Sequence, residues 1–247
     1  MNEYLAEAIS LNYLGFVQQL TGDWFASAAN LADALALYRD LGHRHGQADA
    51  LTDLGTLHTL TGEYSTAAAS LHQALEILRD LGDQPFQAWA LNDLGMVQQL
   101  TGDYQTAADS HQQALELFRD LGARLGQAEA LNRLGELSSR TSATQQARER
   151  HTCALAIARE IGVPFEEARA LEGLGQAHLQ EGNPGQAVTN LRQALAIYQR
   201  IGAVAARRVQ DTLQKHGLVS TTPQSQPAGP GSEGHRPPTP GETPGNR

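Results

Sequence analysis

Residues 90–122 read ALNDLGMVQQLTGDYQTAADSHQQALELFRDLG, and closely related strings stand forty positions before and after them. Working outward, the register holds along most of the chain. Gly15, Gly55, Gly95, Gly135 and Gly175 each follow a leucine (Leu14, Leu54, Leu94, Leu134, Leu174). Three residues before those leucines stand Leu11, Leu51, Leu91, Leu131 and Leu171. Ala34, Ala74, Ala114, Ala154 and Ala194 form a second column, each followed by leucine. Gly42, Gly82, Gly122, Gly162 and Gly202 close the units, each after Leu or Ile. A fixed period of this length marks stacked repeats. Five units are expected, at 6–45, 46–85, 86–125, 126–165 and 166–205.

Each unit splits into two helices. Ala48, Leu51, Leu54, Gly55 and Leu57 follow 3–4 spacing, one face of a helix. Thr61-Gly62-Glu63 breaks it, with Gly62 suited to the left-handed C-terminal position. Asp23 and Asp103 hold N-cap places, and Asn183-Pro184 reads as cap residue followed by proline at the first helical position. Ala67, Leu71, Ala74, Leu75, Ile77 and Leu78 give the second helix its apolar stripe. Gly55 and Ala67 are small where two backbones must come close. No single hairpin buries its face alone, so the units must stack.

The order apolar-x-x-Leu-Gly, Ala after the turn and Ala late in the second helix resembles the tetratricopeptide repeat. The forty-residue length is similar to the C-terminal repeats of actinobacterial regulators of the antibiotic-regulatory-protein class, which pair them with a nucleotide-binding switch domain. The resemblance implies an all-α, right-handed α-solenoid of five stacked antiparallel helix pairs, with first helices lining a concave groove.

Repeat four departs from the pattern: Thr141-Ser142-Ala143-Thr144 replaces the Thr-Gly-Asp-Tyr of repeat three. At the N-terminus no capping helix is evident, so Leu5, Ile9 and Phe16 are expected on an uncovered face open to self-association or to an upstream domain. Residues 206–217 are polar enough for a capping helix, giving a solenoid over 1–219. From 220 to 247 the chain is rich in Pro, Gly, Ser and Thr and is expected to be disordered.

Composition narrows the function. The net charge of −9 gives no basic face for gripping phosphates, so direct nucleic-acid binding is not expected. Neither a signal peptide nor a membrane span is visible, which makes a cytoplasmic protein the default. Charge is uneven: repeat two carries −5, repeat three −3, repeat four +1, and residues 206–219 carry +2. A segment with one basic end would suit such a surface.

Groove positions should follow i, i+3, i+7, i+10 along each first helix, free of packing. The candidates are Asn12, Phe16, Gln19, Thr52, Thr56, Trp89, Asn92, Met96, Gln99, Asn132, Glu136 and Arg169. Asn12, Asn92 and Asn132 share one column, and an asparagine ladder can pair with a peptide backbone. Phe16, Trp89 and Met96 would supply apolar anchors. Chemistry finds little footing. Cys153 is the single cysteine. His43-Arg44-His45 is placed in a loop between repeats, and His111 and His151 fall in a column otherwise filled by leucine. These suit hydrogen-bonded core residues better than ligands, and no metal or cofactor is expected. Glu166-Glu167 sit at a helix start, where the dipole favours them. The expectation is a non-catalytic scaffold binding a protein or peptide, with a sensory module of a multidomain bacterial regulator as the alternative.

Overall fold

The computed structural model describes residues 2–218; the tail expected at 220–247 lies outside them. The described residues form helices joined by short turns. These are α1 (Asn2–Thr21), α2 (Trp24–Asp40), α3 (Arg44–Thr61), α4 (Tyr64–Leu81), α5 (Gln84–Thr101), α6 (Tyr104–Asp120), α7 (Arg124–Arg140), α8 (Thr144–Ile161), α9 (Pro164–Gln180), α10 (Pro184–Arg200) and α11 (Ala205–Lys215). Each odd helix pairs with the next even one, and the five hairpins stack as an α-solenoid. Successive first helices also touch one another, while α4·α6 and the other second-helix pairs make no comparable contact. The stack therefore bends toward its first helices, which line the concave side.

The glycine column sets the hairpin spacing. A Cβ on Gly55 would fall 2.6 Å from Leu71 Cγ and 3.4 Å from the Ala67 carbonyl oxygen. Leu31, His111, His151 and Leu191 fill the same gap in the other repeats. Glycine inside a helix costs about 1 kcal/mol against alanine, and the close helix contact offsets it. Between repeats the fit is complementary. The Tyr38 ring lies over Gly46 and the Phe118 ring over Gly126. Where the second helix carries the smaller Leu78 or Ala158, the next first helix carries the larger Phe86 or Glu166.

One core runs through repeats one to four, including Leu35, Leu51, Leu75, Leu91, Leu115 and Leu131. A second joins Leu171, Leu191 and Tyr198 to Val209 and Leu213 of α11, which thereby closes the last hairpin. At the other end, α1 packs on α2 and α3 alone.

Several local expectations need correction. The first helices of repeats two to five begin two residues early, so His43-Arg44-His45 is no loop. His43 is the N-cap of α3, its Nδ1 accepting from the Gly46 N–H at 3.0 Å, and Arg44 and His45 form the first turn. Asp83 does the same for α5. Asp23 and Asp103 cap as expected, each accepting at 3.2 Å. Asn183 makes no capping bond, although Pro184 does open α10.

Repeat four holds its turn by strain. Gly22, Gly62, Gly102 and Gly182 take positive φ between paired helices, and Ser142 takes the same conformation at φ 62°. A left-handed serine costs about 1–3 kcal/mol, and Ala143 offers no capping side chain. We expect Ser142→Gly to stabilise the chain by about 1 kcal/mol and to slow amide exchange across residues 138–150. Unchanged thermal unfolding and exchange would count against a strained turn.

Candidate functional site

The concave side is built on columns of first-helix residues forty apart. The column expected to stand free is in fact buried. Asn92 is 1% exposed and Asn132 fully buried, and Asn12 is buried as well. Their amides join repeats. Asn12 Nδ2 donates to Asp49 and Asp53 at 3.1 and 2.9 Å. Asn92 Nδ2 donates to Glu129 at 3.0 Å, and Asn132 Nδ2 to Glu166 Oε2 at 2.7 Å. The amide oxygens face inward. His111 Nδ1 lies 2.8 Å from Asn92 Oδ1, and His151 Nδ1 3.0 Å from Asn132 Oδ1. With the amide nitrogens committed to carboxylates, each ring donates from Nδ1. The asparagines thus bind their own chain, and Oδ1 of Asn12, whose hairpin carries Leu31 instead of histidine, is left without a partner.

The other candidates divide. Gln19 is buried and donates to the Asp53 carbonyl at 2.8 Å. Arg169 is buried, with Nε on Glu136 at 2.7 Å. Thr52 and Thr56 are half-buried and bond to their own helix backbone. Trp89 is half-buried, its ring edge-on to Phe118 with centroids 4.8 Å apart. Met96, Gln99 and Glu136 are half-buried, and Phe16 is exposed.

Charge gives the groove a direction. Asp49, Asp53 and Asp93 lie on the second and third first helices, and Glu129 follows on α7. Burial raises the Asp53 carboxyl to about 7, with Asp49 adding to the effect and Asn12 opposing it. Burial and Glu129 raise Asp93 to about 7, and Arg133 offsets this in part. The C-terminal half holds a cleft of about 490 Å³ lined by Arg133, Arg140, Arg169, Arg208, Glu136 and Glu172, among others. Arg169 and Arg208 are spoken for. Burial would raise Glu136, yet Arg169 outweighs it and holds that carboxyl at about 2. Arg208 grips Glu172 through two bonds of 2.7 Å, and Tyr198 donates to the same carboxylate at 3.3 Å. Arg133 is less well matched. Its one ion pair, to Glu129, is 3.9 Å long, and its Nε has no partner. Burial and neighbouring Arg169 push its guanidinium below the ordinary value.

Sequence reasoning passed over Asp53, Asp93, Arg133, Arg140 and Arg208. Asp53, Asp93 and Arg133 occupy one column, and a charged residue recurring beside the packed leucines was the available signal. Among the described residues no three of His, Cys, Asp or Glu converge as a metal would need. His111 and His151 are neutral core residues: burial and nearby arginines hold His111 down at about 3, and burial takes His151 to about 4. Among the described residues no helix is long and apolar enough to cross a membrane.

The tetratricopeptide repeat pattern matches residues 6–80, 69–120 and 126–200. Among solved structures, BtubC (BKLC) from P. vanneervenii is similar at 22% identity and TM-score 0.71, with 81% of this chain and 82% of that one covered. Nearly identical tetratricopeptide-like repeats from Podosopora anserina align at 16% identity and TM-score 0.63, covering 80% and 97%. The apo form of RapI aligns at 12% identity and TM-score 0.70, covering 86% and 74%. At such identities these likenesses show the fold. Among curated proteins none matches the sequence.

The groove acids carry a pH signature. Folded Asp53 and Asp93 keep protons up to about pH 7, whereas unfolded aspartate releases them near ~3.9. Their contribution to stability is therefore lost progressively as pH rises from ~3.9 and is gone above about 7. His111 and His151 act oppositely, and only as pH falls below ~6.5. We expect the melting temperature to fall as pH rises from about 6.5 to 7 and to level off above that, and Asp93→Asn to raise it at pH 8 and flatten the slope. A variant with the wild-type slope would show that Asp93 is already ionised without cost.

Proposed function

Because the chain belongs to the tetratricopeptide repeat family, we propose that it is a non-catalytic scaffold holding a segment of another protein in its concave groove. The observation that carries this reading is the groove's loosely paired charge: half-buried Asp53 and Asp93 on the second and third first helices, and on the next one Arg133, whose one ion pair is 3.9 Å long, on the same helix as exposed Arg140. Burying charge without a partner is costly, and a ligand that supplies the counter-charge recovers it. The segment best suited is extended and dipolar. A basic side chain would lie near Asp53 and Asp93, and an acidic group would enter the cleft at Arg133 and Arg140. Trp89 and Met96, half-buried on the same helix as Asp93, offer the apolar contact. The asparagine column holds this groove in shape and makes no contact with the segment. A sensory module of a larger regulator would use the same groove.

Selection from a random peptide library displayed on phage tests this. We expect enriched sequences to carry a base and an acid separated by several residues. Arg140→Glu should weaken their binding by about 10-fold or more, the loss of one charge-assisted contact, and leave the fold intact by circular dichroism. Enrichment of uncharged sequences, or binding indifferent to Arg140→Glu, would overturn the dipolar groove.

A further inference from the structure

The outer face of α1 is made like an interface between repeats, yet no described element covers it. Leu14 and Val17 are 48% and 50% exposed, while their equivalents in repeat three, Leu94 and Val97, are 4% and 1% exposed. Ser10 is exposed where Ala50, Ala90, Ala130 and Ala170 are buried. Tyr13 is 68% exposed, at a position where repeats two to four carry Asp53, Asp93 and Arg133. Ile9 is exposed beside it. An aromatic thus replaces a charge on a repeat face that no described element covers. Contiguous exposed apolar residues of this kind mark docking surfaces.

We infer that this face pairs with the same face of a second copy, α1 against α1 in antiparallel orientation about a twofold axis near Tyr13 and Leu14. Two features select that occupant. Along the face, size rises from Ala6 and Ser10 to Tyr13, Leu14 and Val17. Antiparallel pairing sets the small end of one helix against the large end of the other, as an isologous contact requires. Charge agrees. Glu3 and Glu7 are the only charged side chains on α1, and both are exposed. Antiparallel pairing places them at opposite ends of the joint, Glu7 opposite the uncharged stretch Gln18–Thr21 and Glu3 past the end of the facing α1. Parallel pairing would crowd four carboxylates together. The cleft of α7, α9 and α11 takes no part, so this joint stands independently of the groove reading.

The test is sedimentation equilibrium of the full chain, with cysteine crosslinking in a Cys153→Ser background. We expect a dimer at micromolar concentrations. Tyr13→Asp with Val17→Glu should weaken it roughly 100-fold or more, by burying unpaired charge, with helicity unchanged. Leu14→Cys, close to the axis, should oxidise to a crosslinked dimer, and Glu3→Cys, far from it, should not. That second pair stays informative even if the charged variant folds poorly. A chain that stays monomeric at 100-fold higher concentration, a dimer untouched by the charged variant, or equal crosslinking at both cysteines would each overturn the antiparallel joint.

Discussion

A missing side chain governs this molecule. At one position in every first helix a glycine lets the second helix approach until a leucine or histidine fills the space where a Cβ would stand. That contact fixes the depth of each hairpin. Once depth is fixed, forty residues per unit bring equivalent side chains into columns, and the columns decide what each first helix can present. The relation holds whether the filling residue is apolar or polar, as Leu71 and His111 show. Only the consequences differ, because a histidine brings a donor that must be matched.

That match accounts for the polar spine. In repeats three and four the histidine finds an asparagine on its own first helix, and the asparagine reaches a carboxylate on the next repeat. Hydrogen bonds of this kind contribute little net energy each but are costly to leave half made. They therefore specify register between hairpins more than they add stability. Past the spine, the groove surface carries charges the chain does not fully neutralise. A fold optimised for stability alone would replace Asp93 or pair Arg133 more closely. The proposed partner site would account for both.

Much of the architecture was legible because period, glycine and turn residues each report one local requirement. Gly55 and Ala67 announced a close approach, Asp103 a cap, and Ser142 a damaged turn. The groove was harder to read. Spacing along one helix places Asn92 on the first-helix surface, but its burial depends on Glu129 from the next repeat and His111 from the partner helix. Neither contact is visible from the i, i+3, i+7 pattern. Arg133 was missed for the same reason: its loose pairing depends on charges from three helices. His43 was misplaced because histidine is an uncommon N-cap, and its Nδ1 serves as the acceptor usually supplied by Asp or Ser.

The central claim is that the asparagine column ties the solenoid to itself. A double-mutant cycle on Asn132 and His151, using Asn132→Ala, His151→Leu and both together, measures that coupling by chemical unfolding. We expect each single variant to lose about 1–3 kcal/mol and the pair to lose clearly less than their sum, with a coupling of about 1 kcal/mol or more. Strictly additive losses would mean that the two side chains do not support each other.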